Sequence, residues 1–408
     1  MKKLDVFFGG WGQRWLLGTL ADDGRQLLFE YSAEALKQGL ELSALKLPLR
    51  AQAYGGFPPY LSRLPGLVAD SLPDGWGLLL MDRLFLQSGR PLAGISPLDR
   101  LSFIGERGMG ALSFVPASQA SLSADDLSLL QMAQAVREVV ADRDTAALQQ
   151  LAMVGGSPHG ARPKVLVQVD AQHQHISTLD GAPGTPWLIK FPAGQEHKEV
   201  CAIEQAYCGM ARRCGLEVPT TRLFEINRNL AAFGIERFDR ERGMRVPVQS
   251  FAAALHADFR VPSLDYQSIL RATLYFTADV RQVEAAFRRC VFNVVFNNRD
   301  DHAKNFALRM NEQMQWQLAP AYDLTFNSGP GGYHQTSVMG EALEPGRRQL
   351  LALAADASLK KRVAEDILDT TLEVASSIAN ELQAYPSIRK GTVAMITSAV
   401  GANMNRCA

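Results

Sequence analysis

One segment, residues 298–305, constrains the fold of this chain more than any other part of its sequence. It reads Asn-Arg-Asp-Asp-His-Ala-Lys-Asn and lies between two apolar runs, residues 294–296 and 306–308. A turn from a helix into a strand commonly contains Asn and Asp, so a purely structural turn is one interpretation. A turn of that kind needs fewer polar side chains than this segment contains. We therefore predict a functional loop between a buried helix and a buried strand.

The spacing of Asp300 and Asn305 indicates which chemistry this loop would perform. An Asp preceded by Arg and followed five positions later by Asn matches the kinase catalytic loop, where the carboxylate takes a hydroxyl proton and the amide oxygen holds a metal ion. Asp323 follows a predicted hairpin of strands 306–309 and 314–318. That hairpin would return its carboxylate to Asn305 and complete a Mg²⁺ site. In isolation, an Asp that caps a turn is the alternative interpretation.

A glycine-rich loop, residues 155–164, stands directly before a predicted strand. Glycine has no Cβ, so backbone N–H groups can approach a phosphate there. The loop is not a Walker loop, because Gly160 is followed by Ala-Arg and not by Lys-Ser/Thr. It is not a nucleophile elbow either, because His159 occupies the position of the second glycine. A tight surface turn is the alternative.

Lys190 ends the apolar strand 187–189, and Glu204 lies on the predicted helix 199–214 that follows. Kinases hold the inner phosphates of ATP with a strand lysine that a helix glutamate tethers. A lysine at a strand end more commonly extends its ammonium group into water. The spacing of the two residues does not decide between these roles.

Composition excludes several classes of protein. The 408 residues are 47% hydrophobic, which is enough for two or three cores. Lys plus Arg and Asp plus Glu number 42 each, so no net positive charge would attract nucleic acid or an anionic membrane. The N-terminal run is too short for a signal peptide, and no run reaches the roughly 18 apolar residues of a spanning helix. Five cysteines without a CxxC pair and seven histidines without HExxH argue against zinc. We expect a cytoplasmic protein.

The order of predicted elements favours an α+β fold. Two short strands within residues 4–31, separated by turn-forming Gly and Asp, predict a small antiparallel sheet. Ser32 and Asp74 are each predicted to cap a helix that follows. The polar stretch 116–123 precedes a helix that we expect Ser123 to cap. Strands are predicted at 165–169, 187–191, 223–226 and 232–238, with Gly215 ending the helix between the second and third. The chain from residue 263 onward is mainly helical around the hairpin.

Several motifs follow one another in a fixed order along nearly the whole chain. They are residues 70–77 (Asp-Ser-Leu-Pro-Asp-Gly-Trp-Gly), 103–112, the glycine-rich loop up to Lys164, 189–192, 204–219, 235–240 (Ile-Glu-Arg-Phe-Asp-Arg), 301–306 and 322–323. In this order they resemble the HipA family, the kinase toxins of bacterial HipBA-type toxin–antitoxin systems. The loop differs from the best-known HipA loop, which has Ala-Gln-Glu before its Lys. It is similar to the Gly-Gly-Ser variant of the YjjJ-type branch.

The resemblance implies a protein-kinase-like two-lobed core, with an antiparallel N-lobe sheet and a helical C-lobe, and a small α+β subdomain before it. The corresponding ranges are 1–116 for the N-terminal docking subdomain, 123–240 for the N-lobe and 241–408 for the C-lobe. It also implies roles for single residues: Asp300 as catalytic base; Asn305 and Asp323 as Mg²⁺ ligands; Ser157, Gly160, Lys164, Lys190, His302 and Lys304 as ATP-binding residues; Glu236 and Phe238 as the hinge that meets adenine; Glu204 as the tether of Lys190; and Ser157 as the autophosphorylation site.

The function that the resemblance implies is an ATP- and Mg²⁺-dependent serine/threonine protein kinase, the toxin of a type II toxin–antitoxin system, inactivated by autophosphorylation. Its implied partners are a protein substrate, such as an aminoacyl-tRNA synthetase, and a helix-turn-helix antitoxin similar to HipB. Contact with nucleic acid is expected only through that antitoxin, and none with membrane. A weakly catalytic pseudokinase that acts by binding, and a small-molecule kinase of the same fold, are the alternatives.

Overall fold

A computed structural model describes residues 2–117, 126–173, 175–179 and 181–408. These residues form two compact units. The first consists of Met1–Lys198, Arg222–Gln249 and Ala253–His256. The second consists of Glu199–Thr221, Ser250–Ala252 and Ala257–Ala408. In the described ranges, no helix is both long enough and apolar enough to cross a membrane.

The strands, in chain order, are β1 Lys2–Phe8, β2 Trp15–Asp22, β3 Leu27–Tyr31, β4 Ala53–Tyr54, β5 Leu112–Val115, β6 Lys164–Val169, β7 Ile176–Ser177, β8 Thr185–Lys190, β9 Thr221–Asn227, β10 Leu230–Glu236, β11 Arg240–Glu241, β12 Met244–Arg245, β13 Val248–Ser250, β14 Leu264–Asp265, β15 Ala307–Met310, β16 Trp316–Leu318 and β17 Thr336–Ser337.

The helices are α1 Ala33–Gln38, α2 Gly66–Ala69, α3 Gly75–Gln87, α4 Pro97–Ile104, α5 Leu129–Val140, α6 Leu148–Gly155, α7 Glu199–Arg213, α8 Phe251–Leu255, α9 Tyr266–Thr277, α10 Val280–Val295, α11 Arg347–Asp356, α12 Lys361–Ser376, α13 Ile378–Gln383 and α14 Lys390–Cys407.

The first unit contains two sheets of five strands. One has the order β4-β3-β2-β1-β5, and its inward side chains include Val6, Phe8 and Leu20, which are fully buried. The other has the order β7-β6-β8-β10-β9, with Val165, Trp187 and Ile189 in its core. Alternation of buried and exposed residues along β1 and β3 follows from the two-residue period of a strand.

The second unit is mainly helical and is centred on α10. This helix lies against α9, α12 and α14, and its buried side chains include Phe287, Cys290 and Phe292. The rings of Phe292 and Phe296 stack with their centroids 4.4 Å apart. Every residue from Arg289 to Val295 is buried, so α10 gives the polar segment that follows it a rigid base. The hairpin β15–β16 then returns the chain, with Leu308 paired to Leu318.

Local sequence signals predicted several helix ends and strands correctly. The Ser32 hydroxyl caps α1 by accepting the Ala35 N–H at 2.9 Å, and Gly215 adopts a positive φ of 81° after α7. The strands around residues 165, 187, 223 and 232 and the hairpin are confirmed. Strand β2 was not predicted, because the Gly and Asp residues around it were interpreted as a turn. The predicted cap at Ser123 lies outside the described residues, and α5 begins after Ser128.

Candidate active site

The glycine-rich loop lies between the end of α6 and the start of β6, and the N-terminus of α3 holds it in place. The Asp74 carboxylate accepts the N–H of Gly160, and the Trp76 N–H donates to the Gly160 carbonyl at 3.2 Å. The Trp76 indole donates to the carbonyl of Lys164 at 3.0 Å. We call residues 74–77 the loop clamp. Asp74 was predicted to cap α3, but its side chain makes no capping bond to that helix.

The two glycines of the loop clamp are required because the backbone of the glycine-rich loop lies close to them. A Cβ on Gly77 would lie 3.0 Å from the Gly155 carbonyl oxygen. A Cβ on Gly75 would lie 2.6 Å from the Ala161 Cα, and Gly75 has a positive φ of 44°. Larger residues would push the clamp away from the loop. The motif Asp-Gly-Trp-Gly is therefore explained by support of the glycine-rich loop.

Ser157 is buried in this loop, with only 4% of its surface exposed. Its hydroxyl donates to the carbonyl of Arg107 at 3.2 Å. Two cations nearby in sequence are engaged elsewhere. Arg162 makes an ion pair with Glu196 at 2.8 Å, and the Lys164 ammonium donates to the His159 carbonyl. A phosphate on Ser157 would thus meet a carbonyl oxygen in this conformation.

Lys164 and Lys190 face each other across β6 and β8. They are directly paired in the register of this antiparallel ladder, so their side chains lie on one face of the sheet. Both are buried, and the Lys190 ammonium lies 5.8 Å from the centre of the Phe233 ring. The two ammonium groups place two positive charges on one face of the sheet, which attracts anions. The pair suits the phosphates of a nucleotide.

The predicted hinge follows β10, which ends at Glu236. The Arg237 N–H donates to the Pro186 carbonyl at 2.9 Å, and Phe238 lies in the turn beyond. Asp239 is buried, which raises its pKa, but its contacts with Arg237 and Arg240 hold that pKa well below its ordinary value. Its carboxylate also accepts the Gly110 N–H at 2.8 Å. Asp239 therefore fixes the hinge turn.

In the second unit, the polar segment after α10 forms a compact loop. Asn297 takes a positive φ of 56°, and Ala303–Asn305 is a single 3₁₀ turn that leads into β15. The Asn305 amide nitrogen donates to the carbonyl of Asp300 at 2.6 Å. Because the nitrogen is committed to this bond, the amide oxygen is the atom that Asn305 offers to a cation.

Asp300 and Asp301 are adjacent but differ in environment. Asp301 is 1% exposed and accepts hydrogen bonds from the Tyr266 hydroxyl at 2.9 Å and the Gln335 N–H at 2.8 Å. His334 Nδ1 lies 2.9 Å from Asp301 Oδ2, the oxygen that also accepts the Tyr266 hydroxyl. Asp300 is partly exposed, and its carboxylate accepts from the Gln335 side chain at 3.0 Å. The carboxylate that can reach a substrate is that of Asp300.

The electrostatics around Asp300 suit a cation. Burial raises the pKa of Asp300, nearby His302 lowers it, and the charge of Asp323 raises it again. Asp323 has a positive φ of 57°, a conformation that residues other than glycine adopt rarely and often at functional sites. The Asp323 carboxylate and the Asn305 amide oxygen are hard oxygen donors of the kind that Mg²⁺ binds, with water and phosphate as its further ligands, and the nearby Asp300 carboxylate adds negative charge.

Arg289 joins the two loops that carry these donors. It projects from α10, is 3% exposed, and donates through Nη2 to the carbonyls of Asn305 at 2.6 Å and Tyr322 at 2.8 Å. Its guanidinium lies over the rings of Phe306 and Tyr322, at 4.9 and 5.1 Å. Burial lowers the pKa of Arg289, while the charge of Asp323 raises it. The shared arginine sets Asn305 and Asp323 at a fixed separation.

Phe259 orders two further residues of the loop. The Lys304 ammonium lies 4.1 Å from the centre of the Phe259 ring, and the His302 ring meets it edge-on at 5.6 Å. Within the described residues, no group of three or more His, Cys, Asp or Glu side chains could hold a metal ion. A metal ion at Asp323 would therefore depend on the Asn305 amide oxygen and on ligands from the substrate.

The predicted site residues divide between the two units. The first unit holds Ser157, Gly160, Lys164, Lys190, Glu236 and Phe238, and the second holds Glu204, Asp300, His302, Lys304, Asn305 and Asp323. Glu204 is buried on α7. The tether from Glu204 to Lys190 stays a prediction.

Sequence reasoning missed three supporting residues. Trp76 stood in a motif that we interpreted as the start of a helix and as part of the family resemblance, without a contact to the glycine-rich loop. Arg289 was detectable as a lone charge on the apolar stripe of α10, four residues before Asn293. Gln335 had no sequence signal, because only the fold brings it to Asp300.

Comparisons with known proteins identify two family domains in this chain. Residues 4–115 match the HipA N-terminal domain, and residues 156–379 match the HipA-like C-terminal domain. A Haemophilus influenzae protein described as "Putative kinase" is 24% identical over 184 residues, which cover 41% of this chain. The match spans about half, 52%, of that relative.

Among solved structures, HipA of Shewanella oneidensis MR-1, in its complex with HipB and operator DNA, matches with a TM-score of 0.71. The match covers 99% of this chain and 96% of that one at 16% identity. The likeness confirms the predicted α+β, kinase-like fold. Since the C-terminal family match alone spans more than half of the sequence and the N-terminal match precedes it in the expected order, this chain belongs to the HipA-like family.

Proposed function

We propose that this chain is an ATP- and Mg²⁺-dependent serine/threonine protein kinase. One observation carries the proposal: buried Arg289 joins the carbonyls of Asn305 and Tyr322, and so holds the loop of Asp300 and Asn305 beside Asp323. A base and a metal-binding pair are sufficient for phosphoryl transfer, since this reaction depends mainly on positioning and charge stabilisation.

Each unit supplies one part of the chemistry. In the first, the glycine-rich loop and the facing pair Lys164 and Lys190 would bind the phosphates, and the backbone at Glu236 and Phe238 would meet adenine. In the second, Asn305 and Asp323 would hold Mg²⁺, which neutralises phosphate charge when bound. The Asp300 carboxylate would accept the proton of a serine or threonine hydroxyl as its oxygen forms a bond to the γ-phosphorus and the bond to ADP breaks.

The test is transfer of radiolabelled γ-phosphate from ATP by the purified chain, with Mg²⁺ and with fractions of a cell lysate. We expect label on protein serine or threonine, and none with the Asp300→Asn variant. Label on a small molecule would instead favour a small-molecule kinase. Nucleotide binding without any transfer would favour a pseudokinase and contradict the proposal.

Replacing Asp323 by Asn should weaken Mg²⁺-dependent nucleotide binding by about tenfold or more, because one anionic ligand of the cation is lost. Calorimetric titration of a non-hydrolysable ATP analogue, with and without Mg²⁺, measures this. Asp366→Asn, at an exposed carboxylate on α12, is the matched control and should bind as wild type. If nucleotide binding depends on Mg²⁺ equally in the Asp323 variant and in wild type, Asp323 is not a ligand of the metal ion.

Autophosphorylation of Ser157 is the proposed inactivating step. A phosphate adds about −1.5 to −2 charges at neutral pH. It would repel the Arg107 carbonyl that the hydroxyl now contacts, while Arg162 and Lys164 are already engaged. The loop should then leave the position in which Trp76 holds it.

Mass spectrometry after incubation with Mg²⁺ and ATP should therefore find phosphate on Ser157 in wild type and none in the Asp300→Asn variant. Ser157→Asp should bind ATP more weakly than wild type. Ser157→Ala should bind ATP equally well and stay active longer. A wild-type enzyme that phosphorylates a partner while its own Ser157 stays unmodified would contradict this regulation.

A toxin in a type II toxin–antitoxin pair is the proposed biological role, with a HipB-like helix-turn-helix antitoxin as partner. The HipA of Shewanella oneidensis forms such a complex with HipB and operator DNA. The equal numbers of acidic and basic residues in this chain support DNA contact through the antitoxin only. A protein of translation, such as an aminoacyl-tRNA synthetase, is the proposed substrate, and the cytoplasm the proposed location.

A further inference from the structure

Residues 334–336 close over the polar loop of the second unit, and Asp301 fixes their backbone. The Asp301 carboxylate accepts the N–H groups of Gln335 at 2.8 Å and Thr336 at 3.3 Å. Its second oxygen lies 2.9 Å from His334 Nδ1, and its carbonyl accepts the Thr336 hydroxyl. Because Asp301 and His334 are both 1% exposed, water does not compete for these bonds.

The same segment is anchored on its other side. β17, which begins at Thr336, pairs in parallel with β14. Asp265 at the end of β14 accepts the Ser337 hydroxyl at 2.6 Å and the Gly340 N–H at 2.8 Å. The backbone of Gln335 is thus held independently of its own side chain. Substitution of that side chain should leave the segment in place.

The Gln335 side chain itself points to Asp300. Its Nε2 donates to Asp300 Oδ1 at 3.0 Å. A carboxylate bonded at one oxygen to a fixed donor loses rotational freedom about its χ2 axis, and its second oxygen is presented in one direction. We propose that Gln335 is a positioning residue, which orients Asp300 so that Oδ2 accepts the proton of the substrate hydroxyl. The inference rests on the function proposed above.

The experiment compares Gln335→Met with wild type in the phosphoryl-transfer assay. Methionine has nearly the length of glutamine but no N–H donor. We expect kcat to fall about tenfold, because misorientation of a reacting group is costly, while KM for ATP stays within about twofold. Gln335→Glu places a second carboxylate beside Asp300, so its kcat should fall further than that of Gln335→Met. Gln317→Met, at an exposed glutamine on β16, is the matched control and should keep wild-type kcat.

The melting temperature of each variant separates positioning from folding. A structural role would lower the melting temperature and leave kcat of the folded fraction unchanged, which would overturn the inference. A wild-type kcat in Gln335→Met would overturn the inference as well. If Asp300→Asn is inactive in the same assay, the proposed function still holds in that case. Absence of transfer by the wild-type chain would instead contradict the proposed function, and this inference with it.

Discussion

The Asp300→Asn variant is expected to transfer phosphate at least about 100-fold more slowly than wild type, because a positioned general base contributes roughly two to four orders of magnitude. The change keeps the shape of the side chain, and the Asn oxygen can still accept the bond from Gln335. Nucleotide binding should stay nearly unchanged. Single-turnover transfer of labelled γ-phosphate measures the rate, and calorimetric titration measures the binding.

The free energy of unfolding provides the control for this variant. Asp300 is partly exposed and accepts one side-chain bond, so we expect the Asn variant to lose less than about 1 kcal/mol of stability. Loss of activity would then reflect lost chemistry and not lost fold. Transfer at the wild-type rate by a folded Asp300→Asn protein would exclude Asp300 as the base.

The neighbouring variant Asp301→Ala is expected to be much less stable than wild type, with a free energy of unfolding lower by about 3 kcal/mol or more. It leaves buried donors without an acceptor, among them the Tyr266 hydroxyl and the Gln335 N–H, and each unmade bond costs roughly 1–3 kcal/mol. Chemical denaturation, followed by tryptophan fluorescence, measures the change. A lower midpoint with an unchanged slope is the expected pattern.

The two adjacent aspartates therefore form a matched pair that separates catalysis from folding. Asp301→Asn is the less disruptive substitution. Its amide keeps one acceptor oxygen, but its NH₂ group replaces the other oxygen and faces groups that are themselves hydrogen-bond donors. It should lie between wild type and Asp301→Ala in stability. If Asp301→Ala is as stable as wild type but inactive, while Asp300→Asn remains active, the two assignments must be exchanged.

Much of this protein was predictable because the signals are local. A hydroxyl three residues before a free backbone N–H identifies the cap at Ser32, and a glycine that tolerates positive φ identifies the end of α7 at Gly215. The polar loop of residues 298–305 stood out because apolar runs flank it on both sides. The hairpin after it was predicted from two short strand-like runs, and it leads the chain to Asp323. The metal site of Asn305 and Asp323 stays a prediction.

What the sequence could not determine is which side chains meet across long stretches of chain. Asp74 has every sequence feature of a helix cap, yet its carboxylate binds Gly160, 86 residues later. Asp300 and Asp301 are chemically identical and adjacent, and only the return of residues 334–336 makes one of them a buried anchor and leaves the other available. Local sequence determined the elements and the residue types of the candidate site, because backbone propensity acts over a few residues. Tertiary structure alone decided the environment of each aspartate, because burial and hydrogen-bond partners depend on segments that are distant in the chain.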